Sequence, residues 1–418
     1  MSDAAGFVAH LFRRQAGQMV ATLTRRLGSR HLEVAEDAVQ DALMTALQQW
    51  PFRGVPDQPE AWLFQVAKNR ALDRLRHVRM ASDKAPVVAL EMAAATEPAV
   101  TSALLREELP PVDDDQLGLI FLVCHPSLPA DARVALALKL AGGFSVGEIA
   151  RAFLVHDSTV AQRLVRAKRA LRECDAGFGM PAPGELTPRL DSVLESLYLM
   201  FNEGYAATSG DVLVRDDVAA EAIRLTRLVA DHPATTAPRA WALLSLMLLH
   251  AARFPARVDS GGSLFLLRDQ DRSKWSRQAI AEGMRALDRA SSGDTISAFH
   301  LEAGIAACHA VAPSWEATDW PQILGLYDEL LALTRSPVVA VNRAIALSRV
   351  EGALSGLAAL EAIPDRAALD RYPLLPAVQA ELWREAGDLD RAAACYRTAL
   401  GLARSTPEHN WLTSRLAP

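Results

Sequence analysis

The spacing of apolar and polar positions is helical along almost the whole chain. Apolar residues recur three or four positions apart, and runs of β-branched residues, which would indicate strands, are short. One example lies between His31 and Trp50. Its apolar stripe consists of Ala35, Ala38, Val39, Ala42, Leu43, Ala46, Leu47 and Trp50. The sequence therefore predicts an all-α fold.

Residues 143–172 have the pattern of two helices joined by a tight turn. Ser145 and Glu148 have the spacing of a capping box, in which each side chain satisfies a free N–H at the start of a helix. The turn is predicted at residues 154–156, and either Asp157 or Ser158 is suited to cap the second helix. The positions predicted to be buried on that second helix are Val160, Ala161, Leu164 and Leu171.

The polar side of this second helix is strongly basic. Five cations and no carboxylate lie between Ser158 and Arg172. Several polar residues are three or four positions apart, so they share one face. A helix that reads the major groove needs short polar groups and Gln for base edges, with Arg and Lys for phosphates. A basic, solvated helix of an ordinary bundle is the alternative. The residues on this face are Thr159, Gln162, Arg163, Arg166 and Arg169.

A second basic helix is predicted from about Glu60 to Arg79, after a loop marked by Pro51, Gly54, Pro56 and Pro59. Its first half is apolar and aromatic, and its second half is basic. Aromatic rings beside a line of cations suit single-stranded nucleic acid, because rings stack on bases and cations follow phosphates. In the alternative reading, the aromatic residues belong to the core.

Asp37, Gln40 and Asp41 line up on the polar side of the helix between His31 and Trp50. From the residues alone, a solvated face is the preferred interpretation of this ridge.

Charge is unevenly distributed along the 418 residues, although the net charge is only −6. Residues 1–80 carry +3 and residues 118–175 also carry +3, whereas residues 81–117 and 176–418 each carry −6. Residues 81–115 contain several prolines and an acidic run, which predicts a linker between two basic modules. The acidic run either mimics nucleic acid in a basic channel or is simply solvated, and solvation is favoured.

Beyond a boundary rich in Gly and Pro, residues 185–418 are predicted to be helical throughout. Gly352 and Gly387 are 35 positions apart, near the 34-residue period of tetratricopeptide repeats. Stacks of this kind bind a peptide or a protein on their concave face.

Several classes of protein are not supported by the sequence. No apolar stretch is long enough for a membrane span, and no signal segment begins the chain, so a cytoplasmic protein is expected. The four cysteines lack metal-site spacing, and no catalytic motif is present. We therefore expect no enzyme activity, no metal and no cofactor. Residues 269–272 are interpreted as a turn with a salt bridge rather than a carboxylate pair, and His250, His300 and His309 as core residues.

The chain resembles bacterial RNA polymerase sigma factors of the extracytoplasmic-function type. It is most similar to the subgroup with a long helical C-terminal extension that carries tetratricopeptide-like repeats. Residues 35–41 match the region 2 helix that such factors lay on the polymerase clamp, and residues 61–73 match the helix that leads into minus-10 recognition. Segments 121–128 and 150–169 match region 4 of the subgroup. In the extension, the matching segments are 198–205, 269–272 and 318–320.

The resemblance implies a role for each group of polar residues. The core polymerase contact is Asp37, Gln40 and Asp41. The minus-10 DNA contacts are Trp62, Lys68, Asn69, Arg70, Asp73, Arg74 and Arg76. The minus-35 DNA contacts are Ser158, Thr159, Gln162, Arg163, Arg166 and Arg169.

The same resemblance implies four parts: sigma region 2 (1–80), an acidic linker (81–115), sigma region 4 (116–175) and the helical extension (185–418). Core RNA polymerase and promoter DNA are the expected partners, and the extension is expected to regulate the factor or to bind a protein. Two alternatives remain. A conventional regulator with a helical sensor would leave the N-terminal module unexplained, and an enzyme in the C-terminal half would need a polar cluster that the sequence does not display.

Overall fold

A computed structural model describes residues 2–416 except for 83–111, 154, 206–214, 258–264, 365–368, 370–371, 373 and 404–405. Within these ranges all regular elements are helical, which confirms the predicted all-α class. The chain divides into two compact units, residues 1–200 and residues 201–418. No helix in the described ranges has both the length and the apolar character needed to cross a membrane.

The first unit is built from eight helices in its described part. They are α1 (Ser2–Leu27), α2 (Leu32–Arg53), α3 (Pro59–Ser82), α4 (Val112–Val123), α5 (Ala130–Leu136, continued by a π-helical turn Ala137–Ala141), α6 (Val146–Phe153), α7 (Asp157–Glu173) and α8 (Pro183–Tyr205), whose last turn enters the second unit. Helix α2 packs on α3 and α1, and α1 also packs on α4 and on the π-helical turn.

Two details of α2 differ from the prediction. The helix continues through Pro51 to Arg53. Gly54 is its C-cap, and the Gly54 N–H donates a hydrogen bond to the Trp50 carbonyl. Proline removes only one backbone donor in the last turn, so it does not end the helix there. Leu47, predicted to lie in the apolar stripe, is 51% exposed, because it lies on the outer side of α2 together with the exposed Met44.

Most of the predicted acidic linker, residues 83–111, lies outside the described residues. Its C-terminal end does not: α4 begins at Val112, inside the predicted linker. Asp115 is buried in this helix and pairs with Arg25, with 2.9 Å between Oδ1 and Nε. Burial raises the pKa of Asp115, although a hydrogen bond from Thr22 and the charge of Arg25 oppose the shift. At least one acidic residue of the run is therefore structural.

The first part of the predicted extension belongs to the first unit. Arg133 on α5 is buried, and its Nη2 lies 2.7 Å from a carboxylate oxygen of Glu195 on α8. Ser192 of α8 accepts another hydrogen bond from Arg133, and its hydroxyl donates to the Cys124 carbonyl at 2.7 Å. Helix α8 thus completes the core around α4 and α5.

The second unit continues with eleven helices in its described part. They are α9 (Asp216–Asp231), α10 (Pro238–Ala251), α11 (Phe254–Arg257), α12 (Arg277–Ala290), α13 (Ala298–Val311), α14 (Trp320–Thr334), α15 (Pro337–Glu351), α16 (Ala353–Glu361), α17 (Leu374–Glu385), α18 (Leu389–Leu402) and α19 (Thr406–Leu416). Helices α15 and α16 pack together, and so do α17 and α18. Gly352 lies in the turn within the first pair and Gly387 in the turn within the second, and both have positive φ. The assignment of these pairs to tetratricopeptide repeats stays a prediction.

Candidate nucleic-acid interface

Helices α6 and α7 form the predicted helix–turn–helix. At the start of α6 the capping box is present: the Glu148 N–H donates to the Ser145 hydroxyl at 3.2 Å, and the Ser145 N–H donates to the Glu148 carboxylate at 2.8 Å. The predicted cap of α7 was wrong. His156 occupies the N-cap position without a side-chain cap, so Asp157 is already the first helical residue.

The outer face of α7 holds five of the six predicted minus-35 residues. All five side chains are exposed: Ser158, Thr159, Gln162, Arg166 and Arg169. The inner face buries Val160, Leu164 and Leu171, as predicted, but Ala161 is exposed. It lies near the edge of the outer face, where the turn of the helix carries it away from the core.

Arg163 differs from the other five, because it faces partly inward. Its Nη2 lies 2.9 Å from the Asp131 carboxylate on α5, and its guanidinium lies 5.7 Å from the centre of the Phe153 ring on α6. These contacts fix α7 against both neighbouring helices. Arg163 is therefore a structural contact of the motif in this conformation.

Two more cations of α7 contact acidic residues of α2. Lys168 Nζ is 2.5 Å from the Glu36 carboxylate, which also lies 3.6 Å from Lys139 Nζ on the π-helical turn. Arg172 pairs with Glu33 at 2.6 Å. The basic helix is thus joined to the N-terminal module on one side and open to solvent on the other.

The predicted ridge of Asp37, Gln40 and Asp41 is present on α2, and its two aspartates form ion pairs within the chain. Asp37 and Gln40 are exposed and Asp41 is half-buried on the same side of the helix. Arg74 of α3 bridges both aspartates, at 2.5 Å from Asp37 and 2.9 Å from Asp41. The hydrogen bond to Asp41 is the main reason why the pKa of Arg74 is raised. The structure therefore joins one predicted minus-10 residue to two predicted polymerase contacts.

The other predicted minus-10 residues lie along α3. Trp62 is half-buried, with its ring centre 5.6 Å from that of Trp50. Asn69 accepts a hydrogen bond from Gln65 at 3.1 Å, and Asp73 forms a long ion pair with Arg76 at 3.5 Å. Lys68 is half-buried, and four residues are exposed along the helix: Asn69, Arg70, Asp73 and Arg76.

Two residues of interest did not stand out in the sequence. Glu36 is buried in the apolar stripe of α2, and an acidic residue among apolar positions is the signal that would have identified it. Val165 is 61% exposed between Gln162 and Arg169 on the outer face of α7. An apolar residue on the polar face of the helical period is the corresponding signal.

The polar motifs of the second unit have structural contacts. Asp271 caps the short turn that begins at Arg272 by accepting from the Ser273 N–H, while Arg272 donates to the carbonyls of His309 and Ala312 at 2.6 Å each. These two carbonyls lie at the C-terminal end of α13, where a cation is favourable. In the described ranges, no cluster of three or more His, Cys, Asp or Glu side chains has the arrangement of a metal site.

Three protein-family models match successive parts of the chain. They are Sigma-70 region 2 over residues 11–80, Sigma-70 region 4 over residues 119–171, and a family of unknown function, DUF6596, over residues 189–291. The first two cover α1–α3 and the helices α4–α7, and the third covers most of α8 and the helices up to α12.

Two kinds of relative are similar to the chain. An uncharacterised protein of Rhizobium meliloti is 37% identical over 93% of this chain and 90% of its own length. The ECF RNA polymerase sigma factor SigM of Mycobacterium tuberculosis is 30% identical over 38% of this chain and 73% of its own length. With both sigma-70 regions present in order on the helices that carry the two basic faces, the chain belongs to the extracytoplasmic-function family of RNA polymerase sigma factors.

Proposed function

We propose that this sigma factor binds core RNA polymerase through α2, contacts the minus-10 strand with α3 and the minus-35 duplex with α7, and is regulated by its own C-terminal helical domain. The observation that carries the proposal is the outer face of α7, where five polar or cationic side chains remain exposed while the inner face is buried. A major-groove helix needs this division between a packed side and a free polar side.

At the minus-35 element, the proposed contacts divide by chemistry. Gln162 suits the donor and acceptor pair of an adenine edge, and Arg166 suits guanine or phosphate. Ser158, Thr159 and Arg169 are placed for phosphate or base contacts near them. Arg163 reaches DNA only by releasing Asp131, so we assign it mainly to positioning α7.

At the minus-10 element, the exposed basic side of α3 supports contact with a single strand. Lys68, Arg70 and Arg76 provide positive charge along the helix, and Asn69 is exposed between two of them. Trp62 contributes through the part of its ring that the Trp50 contact leaves accessible. Cations that follow the backbone and a ring that stacks on a base are the usual components of such a site.

For the polymerase contact, the acidic ridge on α2 is the proposed surface. Asp37 and Asp41 are paired with Arg74 at present, so a basic surface on the polymerase would exchange with this arginine. Such an exchange costs little, because all three side chains are substantially exposed to solvent. Arg74 would then be released beside the other cations of α3.

We propose the division of the chain as residues 1–80 for region 2, 81–115 for a linker, 116–175 for region 4 and 185–418 for the extension. The first residues of the extension, on α8, complete the fold of region 4. The role of the extension is non-enzymatic in this proposal: it regulates the sigma regions or binds a protein partner. The match to a family of unknown function supports a separate module there without indicating its activity.

The test is in vitro transcription with purified core polymerase and DNA from upstream of the gene. Arg166→Ala is expected to reduce specific initiation strongly while leaving binding to core polymerase unchanged. The double charge reversal Asp37→Lys and Asp41→Lys is expected to weaken binding to the core and to spare the fold. Arg397→Ala, an exposed arginine of the C-terminal unit, is the control. If Arg166→Ala instead weakens core binding and leaves promoter choice unchanged, the role assigned to α7 is wrong.

A further inference from the structure

Three arginines of the described chain are more than nine-tenths buried: Arg133, Arg253 and Arg257, with exposed fractions of 8%, 9% and 8%. Arg133 has a carboxylate partner, Glu195, at 2.7 Å. Within the described ranges, no carboxylate lies at ion-pair distance from Arg253 or Arg257. Arg253 and Arg257 therefore differ from Arg133 in the one feature that normally makes a buried charge tolerable.

Both guanidinium groups surround one tyrosine instead. Arg257 lies 3.9 Å from the centre of the Tyr205 ring and donates to the Tyr205 carbonyl. Arg253 donates to the Tyr205 hydroxyl and to Nδ1 of His250, the latter at 2.9 Å. The rings of Tyr205 and His250 are 4.9 Å apart. None of these partners is a carboxylate, so they orient the two cations through hydrogen bonds and a ring contact.

The ionisation of the neighbours reflects this positive field. Burial lowers the pKa of His250 far below its usual value, and the charges of Arg253 and Arg257 lower it further. His250 is therefore neutral and accepts the hydrogen bond at Nδ1. Burial alone would raise the pKa of Tyr205, but the two arginines outweigh that effect and the net pKa is lowered.

One hydrogen-bond donor of this arginine pair also lacks an acceptor. The Nε–H of Arg253 is buried and has no hydrogen-bond partner. A buried donor without a partner loses its interaction with water and gains nothing in return. A planar guanidinium offers donors in a fork that matches the two oxygens of a carboxylate or phosphate group. Among the described residues, the lack of a carboxylate partner and a hydrogen-bond donor without an acceptor occur at the same arginine. Both features indicate the same kind of ligand.

We propose that Arg253 and Arg257, positioned by Tyr205 and His250, form a binding site for a small oxyanion-bearing molecule in the C-terminal unit. The shared chemistry is one oxyanion group, either phosphate or carboxylate, that neutralises the two buried charges. This site is independent of the DNA and polymerase contacts proposed above. It gives the regulatory unit a place at which a small ligand acts.

The experiment uses the full chain without polymerase or DNA. Thermal unfolding and isothermal calorimetry are measured with inorganic phosphate and, separately, with citrate, against sodium chloride at matched ionic strength. We expect a saturable rise of several degrees in the midpoint of the wild type with one of the two anions. Arg257→Gln should abolish that rise. Arg289→Gln should keep it, because Arg289 lies over the Trp241 ring at 4.4 Å but is exposed and near Asp231.

The unfolding midpoint of Arg257→Gln in the chloride buffer provides a second and independent readout. Removing an uncompensated buried charge should leave the midpoint unchanged or raise it, whereas removing a purely structural arginine should lower it. Ion chromatography of the denatured wild-type protein adds a direct measurement of any anion that copurifies. Equal shifts in the wild type and Arg257→Gln would overturn the proposal, and so would the absence of a shift with either anion in a wild-type protein that carries no copurified anion. A rise in the midpoint with phosphate but not with citrate, or with citrate but not with phosphate, identifies the class of oxyanion.

Discussion

At the residue scale, the clearest energetic feature of the sigma regions is a buried carboxylate between two lysines. Glu36 is 6% exposed and lies within reach of both Lys139 and Lys168. The neighbouring pair of Glu33 and Arg172 is similar in length, at 2.6 Å, but both partners are well exposed. Solvent screens the exposed pair, while loss of the buried carboxylate leaves two cations without compensation.

Glu36→Gln is therefore expected to destabilise the first unit by about 3 kcal/mol, whereas Glu33→Gln should cost less than about 1 kcal/mol. The two variants remove the same charge from the same helix one turn apart, so each controls for the other. Chemical denaturation followed by hydrogen exchange in the first unit measures the difference. Equal losses in both variants would show that burial of Glu36 has no energetic role.

Val165 gives a second prediction at this scale, which depends on the proposed role of α7. An exposed valine on a base-reading face suits the 5-methyl group of thymine, and burying one methyl-sized group contributes about 0.8 kcal/mol, or roughly fourfold in affinity. Replacing single thymines of the minus-35 element by uracil should weaken wild-type promoter binding at one position. Val165→Ser should be insensitive to that replacement, while Val350→Ser, at an exposed valine of the other unit, should behave as wild type. Sensitivity to uracil that persists in Val165→Ser would exclude the contact.

His309 predicts how the second unit responds to acid. Burial, followed by the charges of Arg253 and Arg272, lowers its pKa to about 3. The unfolded chain titrates near the ordinary value of about 6.5, so it binds more protons than the folded chain between those two values. Stability contributed by the neutral ring is complete above about pH 6.5 and is lost as the pH falls towards 3, by up to about 1.4 kcal/mol per pH unit.

His309→Phe should retain the ring contacts with Trp315 and Trp320 and reduce the slope of unfolding free energy against pH between 6.5 and 4. His250 retains its own lowered pKa, so some slope should remain. His409→Phe, at an exposed histidine, should leave the slope as in the wild type. Calorimetric scans at intervals of half a pH unit measure this slope, and an unchanged slope in His309→Phe would assign the acid sensitivity to other groups.

At the element scale, the two sigma regions meet where backbone contacts backbone. A Cβ added at Gly17 on α1 would lie 2.2 Å from the Ala141 carbonyl oxygen on the π-helical turn, a distance that no real side chain tolerates. The approach is possible only because position 17 has no side chain. The contact joins a helix of region 2 directly to the helix that precedes the helix–turn–helix.

Gly17→Ala is accordingly expected to separate α1 from the end of α5 and to lower the unfolding midpoint of the first unit by several degrees. Gly184→Ala is the matched control, since nothing lies within 4 Å of its added Cβ. Gly184 is the second residue of α8, where this change should stabilise slightly, by less than about 1 kcal/mol, because alanine has less conformational freedom to lose. A midpoint in Gly17→Ala equal to that of the wild type would mean that the two modules separate easily in solution.

The helices of the first unit show which features of the fold the sequence could predict. Helical periodicity predicted the class, the helix–turn–helix and its capping box, because these depend on contacts within a few residues. Local signals were misleading at two helix ends: α2 continues past the exposed Pro51, and His156, rather than Asp157 or Ser158, is the N-cap of α7. The pairing of Arg74 with Asp37 joins positions 37 residues apart, and no periodic pattern encodes such a contact.

At the scale of the whole molecule, the boundary between sigma regions and extension is set by packing rather than by composition. The Gly- and Pro-rich segment after α7 predicted that the extension begins near residue 185, yet the first compact unit continues to Met200. The reason is specific: the buried charge of Arg133 on α5 is compensated by Glu195 and Ser192 on α8. Residues 185–200, which composition assigns to the extension, therefore contribute contacts to region 4.

Two truncations distinguish the roles of this segment and of the remaining extension. Residues 1–176 lack α8, so Arg133 loses its contacts with Glu195 and Ser192, and the Cys124 carbonyl loses the Ser192 hydroxyl. This fragment should be less stable and less active than residues 1–200, whatever the rest of the extension does. Residues 1–200 keep the Arg133 contacts and should give a cooperative unfolding transition. Transcription with core polymerase then compares residues 1–200 with the full chain. If only the full chain initiates, the second unit is a required part of the factor; if the fragment is more active, the second unit inhibits it. An equally stable and active 1–176 fragment would contradict the argument from Arg133, because it would show that region 4 folds without α8.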